Sequence, residues 1–281
     1  MRKVHVATVG VNRSLSRTAA SLEREIVRPL SSGMLFHPTF SLTLITPPSG
    51  VIDNPHSGER GKPETDIPDP LASWPLTVCE QESTESSSSA MTAPVENLSD
   101  SWQDKVASFH NLKSFLHALH LTYYSHVLPE SPDYVVFVRP DLRIEGRLWL
   151  RLRLITMMLR GRHRALAVVP SWGRHRGVND RFAILSAEAA RAYFTRSSHV
   201  DDFFSHGSDL NSEKFLAWAL RTAKVSHSIY TPMRRIRLGG LPSPQDETLV
   251  TRSVFARRKD IVRARLKKKF RLLLKTMPGR G

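Results

Sequence analysis

The sequence predicts an α/β fold: a mostly parallel central sheet flanked by helices, in one main domain. Three observations predict it. The β-branched run Val4 to Val9 ends at Gly10, and a polar turn and a helix-compatible stretch follow. Tyr134 to Val138 is apolar throughout, as a strand buried on both faces must be. Strand-like and helix-like segments then alternate as far as Ala223, with no internal repeat.

Taken in order, Val4 to Val9 reads as the first strand and Ser16 to Val27 as the first helix, with Pro29 ending it. Met34 to Ile45 reads as a second strand region, closed by Pro47-Pro48. Between about residues 60 and 100 the character changes. Pro63, Pro68, Pro70 and Pro75 are scattered there, and Ser86 to Ser89 run together, so a loop insertion or disordered segment is expected rather than a sheet element. A mobile lid is the functional reading of that segment. A long helix follows from Ser101 to Val127, because Phe109, Leu112, Leu116, Leu119 and Tyr123 recur at three- and four-residue steps. His117 and His120 on it have the spacing of a helical metal pair, but no third ligand is indicated. Pro129 and Pro132 break the chain before the Tyr134 strand. Beyond it, Leu148 to Leu159 reads as a helix, Ala165 to Val169 as a strand, and Ser186 to Tyr193 and Ser212 to Ala223 as helices. Ser186 and either Asn211 or Ser212 are candidate caps for the last two.

Composition sets bounds. The 281 residues are 40% apolar and 24% charged, a soluble globular profile. No apolar run approaches the roughly 18 residues of a membrane span. Arg2 and Lys3 precede too short an apolar stretch for a secretory signal. A single cysteine, Cys79, excludes an internal disulfide and fits a reducing, cytoplasmic setting; in a polar segment it has no stable element to position it as a nucleophile. The net charge of +15 is uneven. Residues 252–280 hold 12 Lys/Arg and one acid, Asp260, whereas the rest holds 29 Lys/Arg and 25 acids. The domain is therefore expected over residues 1–245, with a basic amphipathic arm over 246–281. That arm can pack on the domain, lie on an anionic membrane surface, or bind nucleic acid through phosphates alone.

In open α/β sheets, ligands sit beyond the carboxyl ends of the strands, so polar residues there are the first candidates. Gly10-Val11-Asn12-Arg13-Ser14 offers a tight turn, a following helix N-terminus and a guanidinium for an anion; its plain reading is a turn with an exposed arginine. Arg139-Pro140-Asp141 fixes a carboxylate after the strongest strand. Asp141 can hold a divalent metal or a sugar hydroxyl, or merely cap a turn. Asn179-Asp180-Arg181 follows Trp172. A carboxylate between an amide and a guanidinium suits a polyhydroxyl ring and the indole can stack on a sugar, or the set is a turn ion pair.

These stretches appear in order with others. Gly10 to Leu15, Asn54-Pro55-His56-Ser57-Gly58-Glu59, Val138 to Leu142, Gly177 to Ala183 and Asn211-Ser212-Glu213-Lys214-Phe215-Leu216 together resemble a family of glycosyltransferases with a GT-A-like, Rossmann-related fold, found among polysaccharide-building proteins. The resemblance implies transfer of a sugar from a nucleotide diphosphate donor to a glycan or lipid-linked hydroxyl acceptor. It places Gly10, Asn12, Arg13, Arg139 and Asp141 at the donor, with Asp141 where a manganese- or magnesium-binding aspartate would stand. It places Asp180 and Glu213 at the sugar or acceptor, one as general base, with Trp172, Asn179, Arg181 and Glu59 around them. Two departures matter. Arg139 stands where a first aspartate is expected, so it can itself neutralise the diphosphate, and His56 stands where an arginine is expected. Two other readings stay open: a nucleic-acid-binding protein acting through the basic arm, and a transferase fold without activity that binds a partner.

Overall fold

The computed structural model describes residues 1–32, 34–47, 50–54, 59–80, 105–144, 149–159, 165–170, 172, 177–205, 211–229 and 233–237. The basic arm expected over 246–281 lies outside them, as does the serine run Ser86 to Ser89. The described strands are β1 (Arg2–Val11), β2 (Phe36–Thr46), β3 (Ile52–Asn54), β4 (Glu59–Gly61), β5 (Leu76–Glu80), β6 (Tyr134–Val138), β7 (Leu142–Ile144), β8 (Leu166–Val169), β9 (Phe182–Ser186), β10 (Ser226–Ile229) and β11 (Met233–Arg235). The described α-helices are α1 (Leu15–Leu22), α2 (Arg28–Ser31), α3 (Lys105–Thr122), α4 (Leu128–Glu130), α5 (Trp149–Leu159), α6 (Ala187–Phe194), α7 (Val200–Ser205) and α8 (Ser212–Thr222).

Seven strands form one sheet in the order β5-β2-β1-β6-β9-β8-β10. Every neighbour pair is parallel except those made by β9, which runs against both β6 and β8. This is the mostly parallel, helix-flanked α/β class read from the sequence. Alternation along each strand feeds two cores. Val135 and Phe137 of β6 join Ala7 and Val9 of β1 beneath α3, α6 and α8. Tyr134, Val136 and Val138 join Val4 and Val6 beneath α1 and α5 on the other face. Burial on both faces is why β6 carries no polar residue. Fully burying Val135, Val136, Phe137 and Val138 contributes about 1.5–3 kcal/mol each.

The first strand extends further than the sequence suggested, and two expectations are corrected. Residues 76–80 are not loop: β5 pairs in parallel with β2 along the sheet edge, which buries Cys79 on a stable strand. Pro29 does not end the first helix. A π-helical turn, Glu23–Val27, precedes α2, and Pro29 sits in that helix's first turn. Pro129 repeats the device after the π turn Tyr123–Val127. Proline clashes with the carbonyl four residues back, and a widened turn makes room for it. Phe182 to Ser186 forms a further strand that the sequence reading did not assign.

Chain direction matters most for function. From β1 the chain steps outward through β2 to β5, then returns to place β6 on the other side of β1. The switch point lies between the carboxyl ends of β1 and β6, where doubly wound sheets bind ligands.

Candidate functional site

The residues following β1 and β6 meet at this switch point. Gly10 has φ +146°, and a Cβ there would stand 3.0 Å from Pro140 Cδ, so only glycine lets the two turns approach this closely. Thr18 of α1 donates to the Pro140 carbonyl at 2.6 Å. Segment 233–237 closes the corner. β11 pairs antiparallel with β7, with Arg235 opposite Leu142. The Ile236 N–H donates to the Asp141 carbonyl at 2.7 Å, and Ser14 Oγ donates to the Ile236 carbonyl at 2.9 Å.

The Asp141 carboxylate is 1% exposed, and neither oxygen accepts a hydrogen bond among the described residues. Arg139 Nε lies 3.3 Å from its Oδ1, an ion pair whose angle falls outside hydrogen bonding. Burial alone would raise the pKa of Asp141. The guanidiniums of Arg139, Arg13, Arg235 and Arg181 outweigh it and hold the carboxyl below the ordinary aspartate range.

A second carboxylate group adjoins the first. The Arg139 N–H donates to the Arg181 carbonyl at 3.1 Å, tying the end of β6 to the start of β9. Arg181 Nη1 donates to Glu213 Oε1 at 3.1 Å and lies 3.7 Å from Asp180 Oδ1. Ser212 Oγ holds the other Glu213 oxygen at 3.2 Å. Glu213 sits in the first turn of α8, whose cap is Asn211: its Oδ1 accepts from the Lys214 N–H at 2.8 Å. The loop-to-helix contact here is backbone on backbone. Val178 N–H donates to the Glu213 carbonyl at 2.9 Å, and a Cβ on Gly177 would fall 2.0 Å from that same oxygen. Asp180 is buried. Desolvation would raise its pKa, but Arg181, Arg139, the Ser212 hydroxyl and Arg196 bring it below the usual range.

The structure thus brings together Gly10, Arg13, Arg139, Asp141, Asp180, Arg181 and Glu213. Others among the expected residues sit differently. Asn12 gives its amide to scaffolding: Nδ2 donates to the Glu64 carbonyl at 2.8 Å and Oδ1 accepts the Leu15 N–H at 3.2 Å. Asn179 does likewise, bonding the Trp172 carbonyl at 2.6 Å and the Arg181 N–H at 2.9 Å. Trp172 is 2% exposed with its ring against the second core, and the Arg181 guanidinium lies 5.8 Å from its centroid. Glu59 is placed only as a β4 position opposite Asn54. The expectation that α1 offers its first N–H groups to a ligand anion is corrected. The chain's own Glu64 fills that place, accepting from Ser16 N–H at 2.8 Å and Ser16 Oγ at 2.7 Å.

Two arginines escaped the sequence reading. Arg235 comes from beyond β10, and its signal was the basic run Arg234-Arg235-Ile236-Arg237. Arg196 is 1% exposed, donates to the Tyr193 carbonyl, stacks 4.6 Å from the Tyr193 ring and acts on Asp180. Nothing local marks it as buried.

Manganese or magnesium takes a shell of several oxygen ligands. Asp141 offers one carboxylate, set among four guanidiniums that repel a cation. No group of three or more His, Cys, Asp or Glu side chains among the described residues could hold a metal ion. His120 of the expected histidine pair instead lies 3.4 Å from Ser197 Oγ. The described residues do not fit a divalent metal. A cavity of about 440 Å³ opens at the opposite, amino end of the sheet, between Lys3, Asp133, Tyr134, Leu166 and Glu188. Asp133 is already bonded there by Arg2 and by the Lys3 N–H, both at 3.0 Å. That opening is therefore not where the buried charge lies.

No family model matches this sequence, and no curated protein matches it. Among solved structures, the apo form of mouse xyloside xylosyltransferase 1 is similar over 82% of this chain and 84% of that one, at 10% identity and a TM-score of 0.37. No helix among the described residues is long and apolar enough to cross a membrane.

Proposed function

We propose that the chain is a glycosyltransferase that moves a sugar from a nucleotide diphosphate donor to a hydroxyl acceptor, as in glycan or polysaccharide synthesis. One observation carries this reading. Arg13, Arg139 and Asp141, 126 and more residues apart along the chain for the outer pairs, meet at the switch point of a mostly parallel sheet, beside the buried pair Asp180 and Glu213. Guanidinium forks suit phosphate oxygens, and carboxylates suit the hydroxyls of a sugar ring. In this reading Arg13 and Arg139 take the donor, Asp141 orients Arg13, Arg139 and Arg235, and Asp180 faces the acceptor. Both Glu213 oxygens are engaged by Arg181 and Ser212, whereas Asp180, which the Ser212 hydroxyl also reaches, keeps an Oδ1 that accepts no hydrogen bond among the described residues. Asp180 is therefore the better general base. Its lowered pKa keeps it ionised near neutrality and makes it a weak base, so it takes the acceptor proton late, as the acceptor oxygen bonds to carbon.

The test is a panel of sugar nucleotides, read by thermal shift and by release of nucleoside diphosphate. A donor present at 100 times its Kd adds about 2.7 kcal/mol to folding stability, a readily detected shift. Asp180→Asn should slow release by about 10²–10⁴-fold while leaving donor binding intact. Silence across the whole panel, in both readouts, removes the proposal.

A further inference from the structure

We infer that this site binds the diphosphate of its ligand directly on guanidinium groups, without a divalent cation between protein and phosphate. The inference deepens the nucleotide-sugar reading and rests on it for the identity of the anion. Five arginines, Arg13, Arg139, Arg181, Arg196 and Arg235, act on the carboxylates of Asp141 and Asp180, and Arg181 also bonds Glu213. Five fixed positive charges against three negative ones leave the cluster cationic. Arginine keeps its charge at every accessible pH. Four of these five side chains are reached through backbone that the fold fixes elsewhere. Arg139 and Arg181 are joined by the 3.1 Å bond between β6 and β9, Arg235 lies opposite Leu142 on the β7–β11 ribbon, and Arg13 follows the Gly10 turn packed on Pro140.

Asp141 has an organising part in this arrangement. Its carboxylate accepts no hydrogen bond among the described residues, yet is 1% exposed, and burial without hydrogen bonds is offset here by the guanidinium charges around it. Placed among like charges, it lowers their mutual repulsion and holds the forks near one centre. Arg139, partly exposed and standing beside it, supplies the positive charge that a metal would otherwise bring to the diphosphate.

The charge balance suits transfer. The bond between the anomeric carbon and the β-phosphate oxygen breaks, and its electron pair stays on that oxygen. The acceptor oxygen bonds to the anomeric carbon, and its proton goes to a base, by the reading above Asp180. The leaving diphosphate gains one negative charge, and the cationic surplus meets that charge in the transition state.

The test is isothermal titration of the full chain with inorganic pyrophosphate and with nucleoside diphosphates, in excess EDTA and again in manganese. The inference expects pyrophosphate to bind in EDTA with a Kd within about threefold of that in manganese, and Arg139→Ala to weaken it about tenfold or more in both. It also expects Asp141→Asn to retain or tighten pyrophosphate binding, since the amide oxygen can accept from the guanidinium forks and keep them together while the cluster gains positive charge; a metal-ligating aspartate would lose binding instead. Where Asp141→Asn fails to fold, Arg235→Ala replaces it, with weakened binding in EDTA expected and unchanged binding contradicting the inference. Binding that vanishes in EDTA, or no binding of any diphosphate in either condition, overturns it. Pyrophosphate binding in EDTA with no response to any sugar nucleotide sinks the transferase reading and leaves the anion site standing. Sugar-nucleotide binding that requires manganese does the reverse.

Discussion

Gly177→Ala probes the assembly of the site at its tightest contact. The added Cβ would stand 2.0 Å from the Glu213 carbonyl oxygen, 2.1 Å from the Glu213 carbonyl carbon and 2.4 Å from the Lys214 nitrogen. All three are backbone atoms in the first turn of α8, so no side-chain rotation relieves the overlap. The loop or the helix end must move by about an ångström to reach ordinary contact distance. That movement breaks the 2.9 Å bond from Val178 N–H to the Glu213 carbonyl. Losing a buried backbone bond and leaving its groups unpaired costs about 2–4 kcal/mol, a large effect for one methyl group. The same movement separates Arg181 from Glu213. Urea unfolding of the variant measures the stability loss. Pyrophosphate titration measures the site, and should weaken because Arg181 loses its anchor. An unfolding free energy within about 0.5 kcal/mol of the parent chain, together with unchanged binding, would refute the claim that this contact assembles the site.

Three other outcomes follow from the structure. His5 is buried between Thr39 and Ser41, both at 2.9 Å, and burial, reinforced by His126, lowers its pKa to about 4. Above the unfolded value near 6.5 both states are neutral and His5 contributes no pH dependence; below it the unfolded chain binds a proton that the folded one refuses. Stability therefore falls between about pH 6.5 and pH 4, by up to about 3 kcal/mol, and unfolding curves at intervals across that window should show a slope that His5→Gln removes. Asn211→Ala deletes the α8 cap and should cost about 1 kcal/mol in urea unfolding, a loss that Asn211→Ser restores in most part. Phe137→Ala empties a fully buried position facing Phe115, Tyr193 and Phe194, and should cost about 3–5 kcal/mol, the largest loss among these variants.

Sequence patterns expose an element when its environment leaves one signature. β6 is buried on both faces, so five apolar residues in a row announced it. β5 lies at the sheet edge, with Leu76 49% and Val78 58% exposed, and only Cys79 is buried. An edge strand within a proline-rich stretch has neither the apolar run nor a clear alternation to reveal it. β9 was hidden for another reason. It begins directly after the polar Asn179-Asp180-Arg181, so its first residues read as the tail of a loop motif. Its reversed direction is what brings that motif to the carboxyl end of β6, and direction is a property of the whole sheet.

The same distinction separates the parts of the site. Arg13 and Asp141 were legible because each follows a strong strand, and the switch-point rule places both ends together. Arg235 was not, because the β7–β11 ribbon sets its place and local spacing does not encode that pairing. Arg196, in Arg196-Ser197-Ser198-His199, has the look of a solvated turn and is fully buried. Burial of so many charges is itself informative. Buried ion pairs add little stability compared with well-packed apolar groups, because desolvation offsets their attraction. A fold selected for stability alone would place apolar side chains at positions 141, 180 and 196. Glu64 supplies the internal comparison: both of its carboxylate oxygens are bonded, at 2.7 and 2.8 Å, and it completes a helix end. Asp141, with neither oxygen hydrogen-bonded among the described residues, is held by the charge of the surrounding guanidiniums instead. On the proposed reading, a buried carboxylate left in that state among guanidiniums is arranged for the diphosphate charge that arrives from outside.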